Sequence, residues 1–448
     1  MKKMRRYQCR KDNWWKVVPD MSNMSLSYRA IASYGDFGPW ISKLVLELPA
    51  KVYKGDIAPT AFNVYCERCV VGSETVVTVI ERPSLATHAS CGYVEVSTAY
   101  PCDAAGNRQG CGFHIALELP ECELTSRINV ASAAAAEYVD NRFRVTQTAA
   151  LSVGNEVLTG FVFDTCDGIE SPTLVGWSHG MGVSGEYQLG YACFDPKSAD
   201  EVRPNGGSAL IVWLHGASDG GADVRLPYTA SHVTLLAKHK VQSYFSGGAW
   251  VLVPQCPTFW MDDGVERMGR SNKSIYTKSL KMLIDEFVAE HPDIDQDRIV
   301  IGGLSNGGFM AVRMLADYPD YFAAGVGVCA PFFEENQAPE VVEALSKTPL
   351  WLVHAQDDFI VNVRETALPL YHKLVQAGAE VHCTLYDHVE DMTGLYKDEL
   401  GRPRRSFGHG VWVHVFNDFC RTELDGRLVL QDGEPVSIWD WAARKHRV

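Results

Sequence analysis

The sequence is poor in positive charge and contains no long apolar run. Its 448 residues include 41 Lys and Arg against 55 Asp and Glu, a formal net charge of −14. Binding to a nucleic-acid backbone needs clustered Lys and Arg, so this deficit argues against such a partner. Because no run of eighteen apolar residues occurs, we expect no membrane-spanning helix and no membrane partner. The basic start MKKMRRYQCRKDNWWK leads into no apolar segment, so we predict a cytoplasmic protein without a secretory signal.

The cysteines do not form the pattern of a disulfide framework. Thirteen of them are scattered along a long chain, whereas disulfide-dense scaffolds are small and secreted, so we expect reduced thiols. Cys66 and Cys69 have the C-x-x-C spacing of a zinc or redox site, which stays an alternative. No second such pair exists, however, and the surrounding FNVYCERCVV is typical of a strand. We predict that the protein uses neither a metal nor a cofactor.

The chain is long enough for two domains, and its pattern changes near residue 205. Residues 1–33 have no clear period and are predicted to form an N-terminal extension. Residues 34–180 contain short strands separated by turn signals such as DAAGNRQG. In FHIALELP, the residues alternate between more and less apolar from Phe113 to Leu119, the period of a half-buried strand. This spacing predicts a β-sandwich domain.

Residues 181–448 are predicted to form a second, α/β domain. Continuous apolar stretches such as ALIVWL (209–214) and WVLVPQ (250–255) alternate with helix-length segments. One of these segments, from about Ser274 to Glu290, places its apolar residues on one helical face. Uninterrupted apolar strands alternating with helices indicate a mostly parallel sheet with helices on both faces.

The segment IGGLSNGGFM, residues 301–310, places Ser305 between glycines directly after an apolar strand and before a helical pattern. This strand–turn–helix setting is the one that a nucleophile elbow requires. The turn is so tight that side chains two positions away on either side would collide, and Gly303 and Gly307 avoid that collision. We therefore predict that Ser305 is a nucleophile. The alternative is a glycine-rich turn with a serine that caps the helix.

A serine nucleophile needs a base, and the base needs a carboxylate that orients it. After a nucleophile elbow these follow in the order acid, then histidine, in loops at strand ends. PLWLVHAQDDFIV is an apolar strand that runs into such a loop. We choose Asp358 as the acid for its distance from His354 and the apolar residues after it, with Asp357 as the alternative. His354 itself is interpreted as a structural histidine.

The base is predicted to be His409, which follows a glycine in the loop of SFGHGVWVHVF. His414 is the alternative, but it alternates with apolar residues and belongs to the next structural element. The oxyanion needs two donors, and one is expected from the backbone N–H of Asn306, after the nucleophile. The other is expected at Gly216 and Ala217, in the LHGASDGG loop after the first apolar strand of this domain, where glycine permits close approach. A phosphate-binding loop is the rival use of these glycines, but no lysine follows with the required spacing.

Five motifs in this order, LIVWLHGASDGG, VLVPQCPTFWMDDG, DRIVIGGLSNGGFM, WLVHAQDDFIV and GHGVWVHVFND, resemble the α/β-hydrolase superfamily. More narrowly, they resemble bacterial esterases of the polyhydroxybutyrate-depolymerase and prolyl-oligopeptidase-like group, which carry an immunoglobulin-like N-terminal domain. The resemblance covers nearly all of residues 205–420 and, more loosely, the first half from about YGDFGPWISKLVLELP onward. It implies Ser305, Asp358 and His409 as a catalytic triad. It also suggests that Trp260, together with His215, contributes to substrate binding.

The leading hypothesis is a serine carboxylesterase that forms an acyl-enzyme on Ser305. Its partner would be a small-molecule ester or an ester-decorated polymer, and the immunoglobulin-like domain could hold a homo-oligomer together. A serine peptidase is the second hypothesis, in which the acidic pairs Asp262–Asp263 and Glu334–Glu335 would hold a free amine. A third is an inactive binding protein on the same fold. In the β domain, Trp40 could serve a sugar-binding surface, with a place in the core as the alternative.

Overall fold

The computed structural model describes residues 5–6, 17–18, 25–36, 38–53, 57–78, 89–121, 124–129, 136–153, 156–183, 185–198 and 207–447. The chain divides into two compact units. The first contains Met1–Gly35, Pro39–Ile128 and Tyr138–Thr173, and the second contains Asp36–Gly38, Asn129–Glu137 and Leu174–Val448. Most of the predicted extension, residues 1–33, lies outside the described residues, although a strand of the first unit begins at Ser25.

The first unit is built from β-strands. In chain order they are β1 (Arg5–Arg6), β2 (Val17–Val18), β3 (Ser25–Gly35), β4 (Gly38–Tyr53), β5 (Phe62–Val70), β6 (Cys91–Val94), β7 (Thr98–Cys102), β8 (Cys111–Glu118), β9 (Arg127–Asn129), β10 (Ala136–Gln147), β11 (Leu151–Val153), β12 (Glu156–Leu158) and β13 (Val162–Glu170). Nine of them form one network in the order β6-β5-β10-β13-β3-β4-β8-β7, with β9 paired to β10. The pair β13–β3 is parallel, so this network is mixed.

The strand predicted around FHIALELP is β8, but its burial does not alternate as predicted. Phe113 is exposed, whereas Ile115, Ala116 and Leu117 are all buried. Ala116 is buried because it packs in a small apolar cluster with Tyr100 and others from the neighbouring strands. Both faces of this part of β8 are therefore covered, and a two-residue period cannot appear.

Cys66 and Cys69 both lie on β5, whose pairing with β10 is regular. Because successive side chains of a strand point to opposite faces, residues three apart also face opposite ways. Both cysteines are buried, and the Cys66 sulfur accepts a hydrogen bond from Asn141 Nδ2 at 3.4 Å. This geometry does not bring the two thiols to one metal ion. Trp40, on β4, is half-buried and packs close to Gly35.

The second unit contains the remaining strands, β14 (Trp177–Met181), β15 (Gly190–Phe194), β16 (Ser208–Leu214), β17 (Ala249–Gln255), β18 (Ile294–Leu304), β19 (Ala324–Val328), β20 (Leu350–Ala355), β21 (Val381–Tyr386), β22 (Leu430–Gln431) and β23 (Glu434–Pro435). The first eight form a sheet in the order β14-β15-β17-β16-β18-β19-β20-β21. The sheet is mixed, because β14 and β15 at one edge are antiparallel and the strands from β17 to β21 run parallel.

Eight helices belong to the described part of this unit, namely α1 (Leu226–Thr229), α2 (His239–Gln242), α3 (Thr277–Glu290), α4 (Asn306–Asp317), α5 (Pro339–Leu345), α6 (Ala367–Gln376), α7 (Trp412–Phe416) and α8 (Ile438–Ala443). Alternate residues of β16 belong to two different cores. Leu210 and Val212 pack in the cluster that includes α3 and α4, whereas Ile211 and Trp213 pack in the cluster that includes α7 and α8. Burial on both faces explains why the strand is apolar throughout.

The helix predicted near Ser274–Glu290 is α3, and its apolar face is buried as predicted. None of the helices in the described ranges has the length and apolarity needed to cross a bilayer. The strands from β16 to β21 all run in one direction, so their carboxyl ends lie at the same end of the sheet. The loops at that end carry the residues of the candidate site.

Candidate active site

Ser305 sits in a strained turn between β18 and α4. Its backbone has φ 52° and ψ −118°, a left-handed conformation that costs free energy for a residue with a side chain. The turn is held by two backbone hydrogen bonds. The Ser305 N–H donates to the carbonyl of Val328 at 2.8 Å, and its own carbonyl accepts from Phe309 at 2.9 Å. Such strain persists only where the surrounding structure enforces it, which is typical of a functional residue.

The glycines around Ser305 make room for this turn. A Cβ atom on Gly303 would lie 2.4 Å from the carbonyl oxygen of Gly307, and one on Gly307 would lie 2.1 Å from the carbonyl oxygen of Leu214. A Cβ atom on Gly308 would lie 2.5 Å from the carbonyl oxygen of Val328, so this glycine lets α4 approach β19. These distances are far below van der Waals contact. The glycine-rich pattern therefore has a steric cause at each of the three positions.

Ser305, His409 and Asp358 are hydrogen-bonded in series. The Ser305 Oγ lies 2.9 Å from His409 Nε2, and His409 Nδ1 lies 2.8 Å from Asp358 Oδ2. His409 belongs to a short 3-10 turn, Gly408–Gly410, and is buried together with Asp358. In this arrangement the serine hydroxyl donates to Nε2, while Nδ1–H donates to the carboxylate. The imidazole is thus held in the tautomer that can accept the serine proton.

The Asp358 carboxylate accepts hydrogen bonds at both oxygens. Oδ2 accepts from His409 and from His354 Nε2 at 3.0 Å, and Oδ1 accepts from the backbone N–H groups of Ile360 and Val361 at 2.9 Å each. Burial alone would raise the pKa of this carboxyl, but the hydrogen bonds from His354 and His409 outweigh it and hold the pKa well below its usual range. Asp358 is therefore a fixed negative charge behind His409.

His354 is a further partner of Asp358, and its contact with that carboxylate was not predicted. Its position at the end of β20 suggested a structural histidine, and its ring is fully buried and bonds directly to Asp358. Cys329, which follows β19, is a second neighbour that no motif indicated. Burial lowers the pKa of His409, but Cys329 and Asp358 outweigh that effect and raise the pKa above its ordinary value.

The two alternative residues have other surroundings. His414 lies on α7, is buried, and stacks near Tyr386 with ring centroids 4.4 Å apart. Burial lowers its pKa to about 4, so it is uncharged at neutral pH. Asp357 is exposed, whereas Asp358 is the carboxylate hydrogen-bonded to His409. His409 and Asp358 therefore form the hydrogen bonds of the candidate triad, and the alternatives His414 and Asp357 do not.

The predicted oxyanion donors lie next to Ser305. Asn306 is the first residue of α4, so its backbone N–H has no partner within the helix and points to the helix N-terminal side. The loop after β16 approaches from the other direction. A Cβ atom on Gly216 would lie 2.8 Å from Leu304 and 4.0 Å from the Cβ of Ser305. Ala217 begins the 3-10 turn that follows, and it is half-buried.

His215 and Trp260, which the sequence assigned to substrate binding, are both buried and occupied by protein contacts. His215 Nδ1 bonds to the carbonyl of Gly216 at 2.7 Å, and Nε2 accepts from the Cys256 N–H at 2.9 Å. Because Nε2 accepts a backbone N–H, the ring is neutral, and burial also lowers the pKa of His215. The rings of Trp260 and His215 lie 5.4 Å apart. His215 therefore links the loop after β16 to the loop after β17, and Trp260 packs against it.

The Asn306 side chain is a further contact that sequence reasoning missed. Its Oδ1 accepts from the backbone N–H of Trp260 at 2.6 Å, and its Nδ2 lies 3.5 Å from the sulfur of Met268. The loop after β17 is thereby tied to the start of α4. The same loop reaches the loop after β19, because the Arg270 guanidinium lies 3.8 Å above the Phe333 ring.

The acidic pairs considered for a peptidase are already engaged within the protein. Asp262 accepts hydrogen bonds from Thr258 and Gly264. Asp263 accepts from its own loop, and those hydrogen bonds lower its pKa to about 2. Glu335 forms an ion pair with Arg270 at 3.1 Å, and Glu334 lies 3.8 Å from Lys373. None of these four carboxylates is set aside for a free amine.

Comparison with known families and proteins agrees with this architecture. Residues 207–395 match the phospholipase/carboxylesterase family, and residues 27–159 match the esterase Ig-like N-terminal domain. The poly(3-hydroxyalkanoate) depolymerase C of Paucimonas lemoignei is 30% identical over 128 residues, which are 27% of this chain and 27% of the depolymerase. The chain thus matches only about a quarter of that relative's length.

Among solved structures, the crystal structure of a thermostable esterase has a TM-score of 0.70 at 19% identity, over 94% of this chain and 100% of that chain. At this level of identity the likeness concerns the fold alone. The acylaminoacyl peptidase of Pyrococcus horikoshii has a TM-score of 0.38 at 17% identity, over 62% of this chain and 47% of that one. A similarity this weak supports no functional conclusion.

Proposed function

We propose that this chain, whose residues 207–395 match the phospholipase/carboxylesterase family and whose residues 27–159 match the esterase Ig-like N-terminal domain, is a serine carboxylesterase. The observation that carries the proposal is the series of hydrogen bonds from Ser305 through His409 to Asp358, at 2.9 and 2.8 Å. A serine, a neutral imidazole and a buried carboxylate in this order are the groups that nucleophilic acyl transfer requires.

The first half of the reaction acylates Ser305. Its Oγ forms a bond to the ester carbonyl carbon while its proton passes to His409 Nε2, and Asp358 stabilises the resulting imidazolium. The carbonyl oxygen becomes an oxyanion, to which the backbone N–H groups of Asn306 and Ala217 donate. The C–O bond to the alcohol then breaks, and His409 gives its proton to the departing oxygen. An acyl ester on Ser305 remains.

The second half returns the enzyme to its starting state. A water molecule attacks the acyl carbon, and His409 takes one of its protons. When the second tetrahedral intermediate collapses, the bond to Ser305 Oγ breaks and His409 returns the proton to that oxygen. The carboxylic acid leaves. The proton transfers use Ser305, His409 and Asp358, which are already within hydrogen-bond distance of one another in series.

The proposal favours esters over amides for two reasons. The family match is to carboxylesterases and phospholipases, and the relative from Paucimonas lemoignei is named for a polyester substrate. In addition, the acidic pairs that a peptidase would use for a free amine have protein partners. Peptidase activity on the same three residues is the alternative. Comparison of aminoacyl-amide with acyl-ester substrates separates the two hypotheses.

The decisive variant is Ser305→Ala. We expect it to lower kcat on p-nitrophenyl acetate by at least about 10³-fold, because a residual rate comes only from binding and the oxyanion donors. Ser346→Ala is the matched control, since the Ser346 hydroxyl donates to the carbonyl of Glu343 at the end of α5. Circular dichroism checks that both variants fold. If Ser305→Ala keeps a tenth of the wild-type rate, Ser305 is not the nucleophile.

A further inference from the structure

His354 lies on a rigid strand directly behind the acid of the candidate triad. It belongs to β20, where it pairs with Leu385 of β21, and its ring is fully buried. The preceding residue, Val353, pairs with Val328 of β19 on the other side. Since β20 is hydrogen-bonded to a strand on each flank, the backbone that carries the His354 ring is held by the sheet and not by a loop.

The His354 ring points one nitrogen at two acceptors. Nε2 lies 3.0 Å from Asp358 Oδ2 and 3.0 Å from the carbonyl oxygen of Val361. An unprotonated nitrogen could bond to neither oxygen, so the proton of the ring is on Nε2. Nδ1 is buried and, in the part of the chain that the structure describes, has no hydrogen-bond partner, so a second proton there would be an unsatisfied buried donor. His354 is therefore a neutral ring that donates through Nε2.

Asp358 receives both histidine rings at the same oxygen. Oδ2 accepts from His354 Nε2 at 3.0 Å and from His409 Nδ1 at 2.8 Å. The other oxygen, Oδ1, accepts from the backbone N–H groups of Ile360 and Val361 at 2.9 Å each. The carboxylate thus stays attached to its own turn through Oδ1 when Oδ2 loses a donor. What His354 changes is the charge that Oδ2 presents to His409.

The hydrogen bond from His354 weakens the attraction between Oδ2 and the His409 proton. An N–H group that bonds to a carboxylate stabilises its negative charge, which reduces the gain from a second donor at the same oxygen. Without His354, the charge on Oδ2 would act on His409 alone. The pKa of His409 should therefore rise when the donor at position 354 is removed.

We propose that His354 is a positioning residue that acts on His409 through Asp358, because by sharing Oδ2 it limits how strongly the carboxylate holds protonated His409. The inference rests on the proposed esterase function, in which His409 takes a proton from Ser305 and then gives it to the departing alcohol. A base that holds this proton too tightly gives it up slowly. The contribution of His354 is to ease that second transfer.

Other titratable groups also face the turn of His409. Cys329, after β19, interacts with the His409 ring. Asp357 lies against the preceding residue, since a Cβ atom on Gly408 would lie 2.2 Å from Asp357 Oδ1. Both groups stay in place in a variant of His354. A shift in the titration of His409 in such a variant therefore reports on the donor at position 354.

The test compares two substitutions of His354. His354→Leu removes the donor, whereas His354→Gln has a side chain long enough to place an amide N–H near the position of Nε2. The acid limb of the kcat/KM profile on p-nitrophenyl acetate reports the pKa of His409 in the free enzyme. We expect His354→Leu to move the midpoint of this limb upward by at least about 0.5 pH unit, and His354→Gln to bring it back toward the wild-type value.

The matched control is His382→Leu. The His382 ring also bonds to a carboxylate, that of Glu423 at 2.7 Å, but it lies on β21. This variant should leave the midpoint unmoved. Circular dichroism checks that each variant folds. If His354→Leu does not fold, His354→Asn replaces it, because its amide is one methylene short of the Nε2 position.

A second measurement needs no catalysis. The Nδ1 proton of His409 is assigned by NMR through its loss in His409→Ala, and the pH titration of His409 is followed in each variant. A midpoint that is unchanged or lowered in His354→Leu, or raised equally in His354→Gln, would overturn the inference and leave the esterase proposal intact. A wild-type enzyme that hydrolyses no ester, with the expected NMR shift in His354→Leu, would overturn the proposed function alone.

Discussion

Ser305 and Asp358 lie in loops at the same edge of the sheet, yet the protein holds them in different ways. The Ser305 turn is held by backbone geometry, with a left-handed φ of 52° and glycines where any Cβ would collide. Asp358 lies in an ordinary loop and is held by four hydrogen bonds, from two histidine rings and two backbone amides. The position of Ser305 therefore depends on shape, and the position of Asp358 depends on polar partners.

This difference predicts different responses to substitution. A change of shape at the nucleophile turn moves the backbone that carries the reacting oxygen. A change of partner at the acid loop leaves the backbone in place and alters the charge and hydrogen bonding that His409 experiences. Activity should therefore be sensitive to one methyl group at the first site and to protonation at the second.

Of the two tests that leave the side chains of Ser305, His409 and Asp358 unchanged, Gly307→Ala is expected to have the larger effect. The added Cβ would lie 2.1 Å from the Leu214 carbonyl oxygen, so the turn must shift. A displacement of about 1 Å at a reacting group can cost about 10²-fold in rate, and we expect a loss of kcat of that size. Overpacking should also lower the free energy of unfolding by about 1–3 kcal/mol.

Gly110→Ala is the control for that variant, because nothing lies within 4 Å of a Cβ atom at Gly110. It should change neither kcat nor the midpoint of urea unfolding. If Gly307→Ala retains full activity, the turn is not held by shape, and the contrast between the two loops is lost.

The smaller effect concerns pH and the acid loop. In the proposed mechanism, attack on the ester requires neutral His409; burial lowers the pKa of His409, but Cys329 and Asp358 outweigh burial and raise the pKa above the usual 6.5. Since the protonated form then persists to higher pH, activity must fall as pH is lowered through this raised pKa. We expect the acid limb of the kcat/KM profile to have its midpoint above pH 6.5.

His414→Phe is the control for the pH profile. The pKa of His414 is lowered to about 4 by burial, so His414 stays neutral through the range in which His409 titrates. Its aromatic surroundings, Tyr386 and Phe419, suit a phenyl ring. The variant should leave the midpoint unmoved. An acid limb with a midpoint below pH 6 in the wild type would contradict the account of the acid loop.

The same contrast explains what could be predicted from the sequence. The Ser305 turn leaves a visible pattern, because strain at one residue demands glycine at fixed distances on either side. The order of the strands' loops then suggested Asp358 and His409, which the structure brings within hydrogen-bond distance. The bond from His354 to Asp358 leaves no such pattern, since nothing in the sequence tells which way a buried ring points.

Burial was the harder property to predict. Trp260 was expected in the substrate pocket, but its side chain is fully buried, because it packs against His215 after β16 and Tyr276 just before α3. Phe113 was expected in the core of its strand and is exposed. In both cases the packing of a neighbouring element decides whether the side chain is buried. The pattern of apolar residues along one strand or loop does not reveal that packing. The assignment of domain boundaries and of homo-oligomer formation stays a prediction.

The most direct test of the relay from Ser305 to Asp358 compares two adjacent carboxylates. Asp358→Asn preserves the shape of the side chain but removes the charge that holds His409 in its working tautomer, and we expect kcat on p-nitrophenyl acetate to fall by about 10⁴-fold. Asp357→Asn, one residue earlier and exposed, should stay within about threefold of wild type, as surface substitutions do. Equal losses in the two variants, or a larger loss for Asp357→Asn, would contradict the proposed catalytic arrangement.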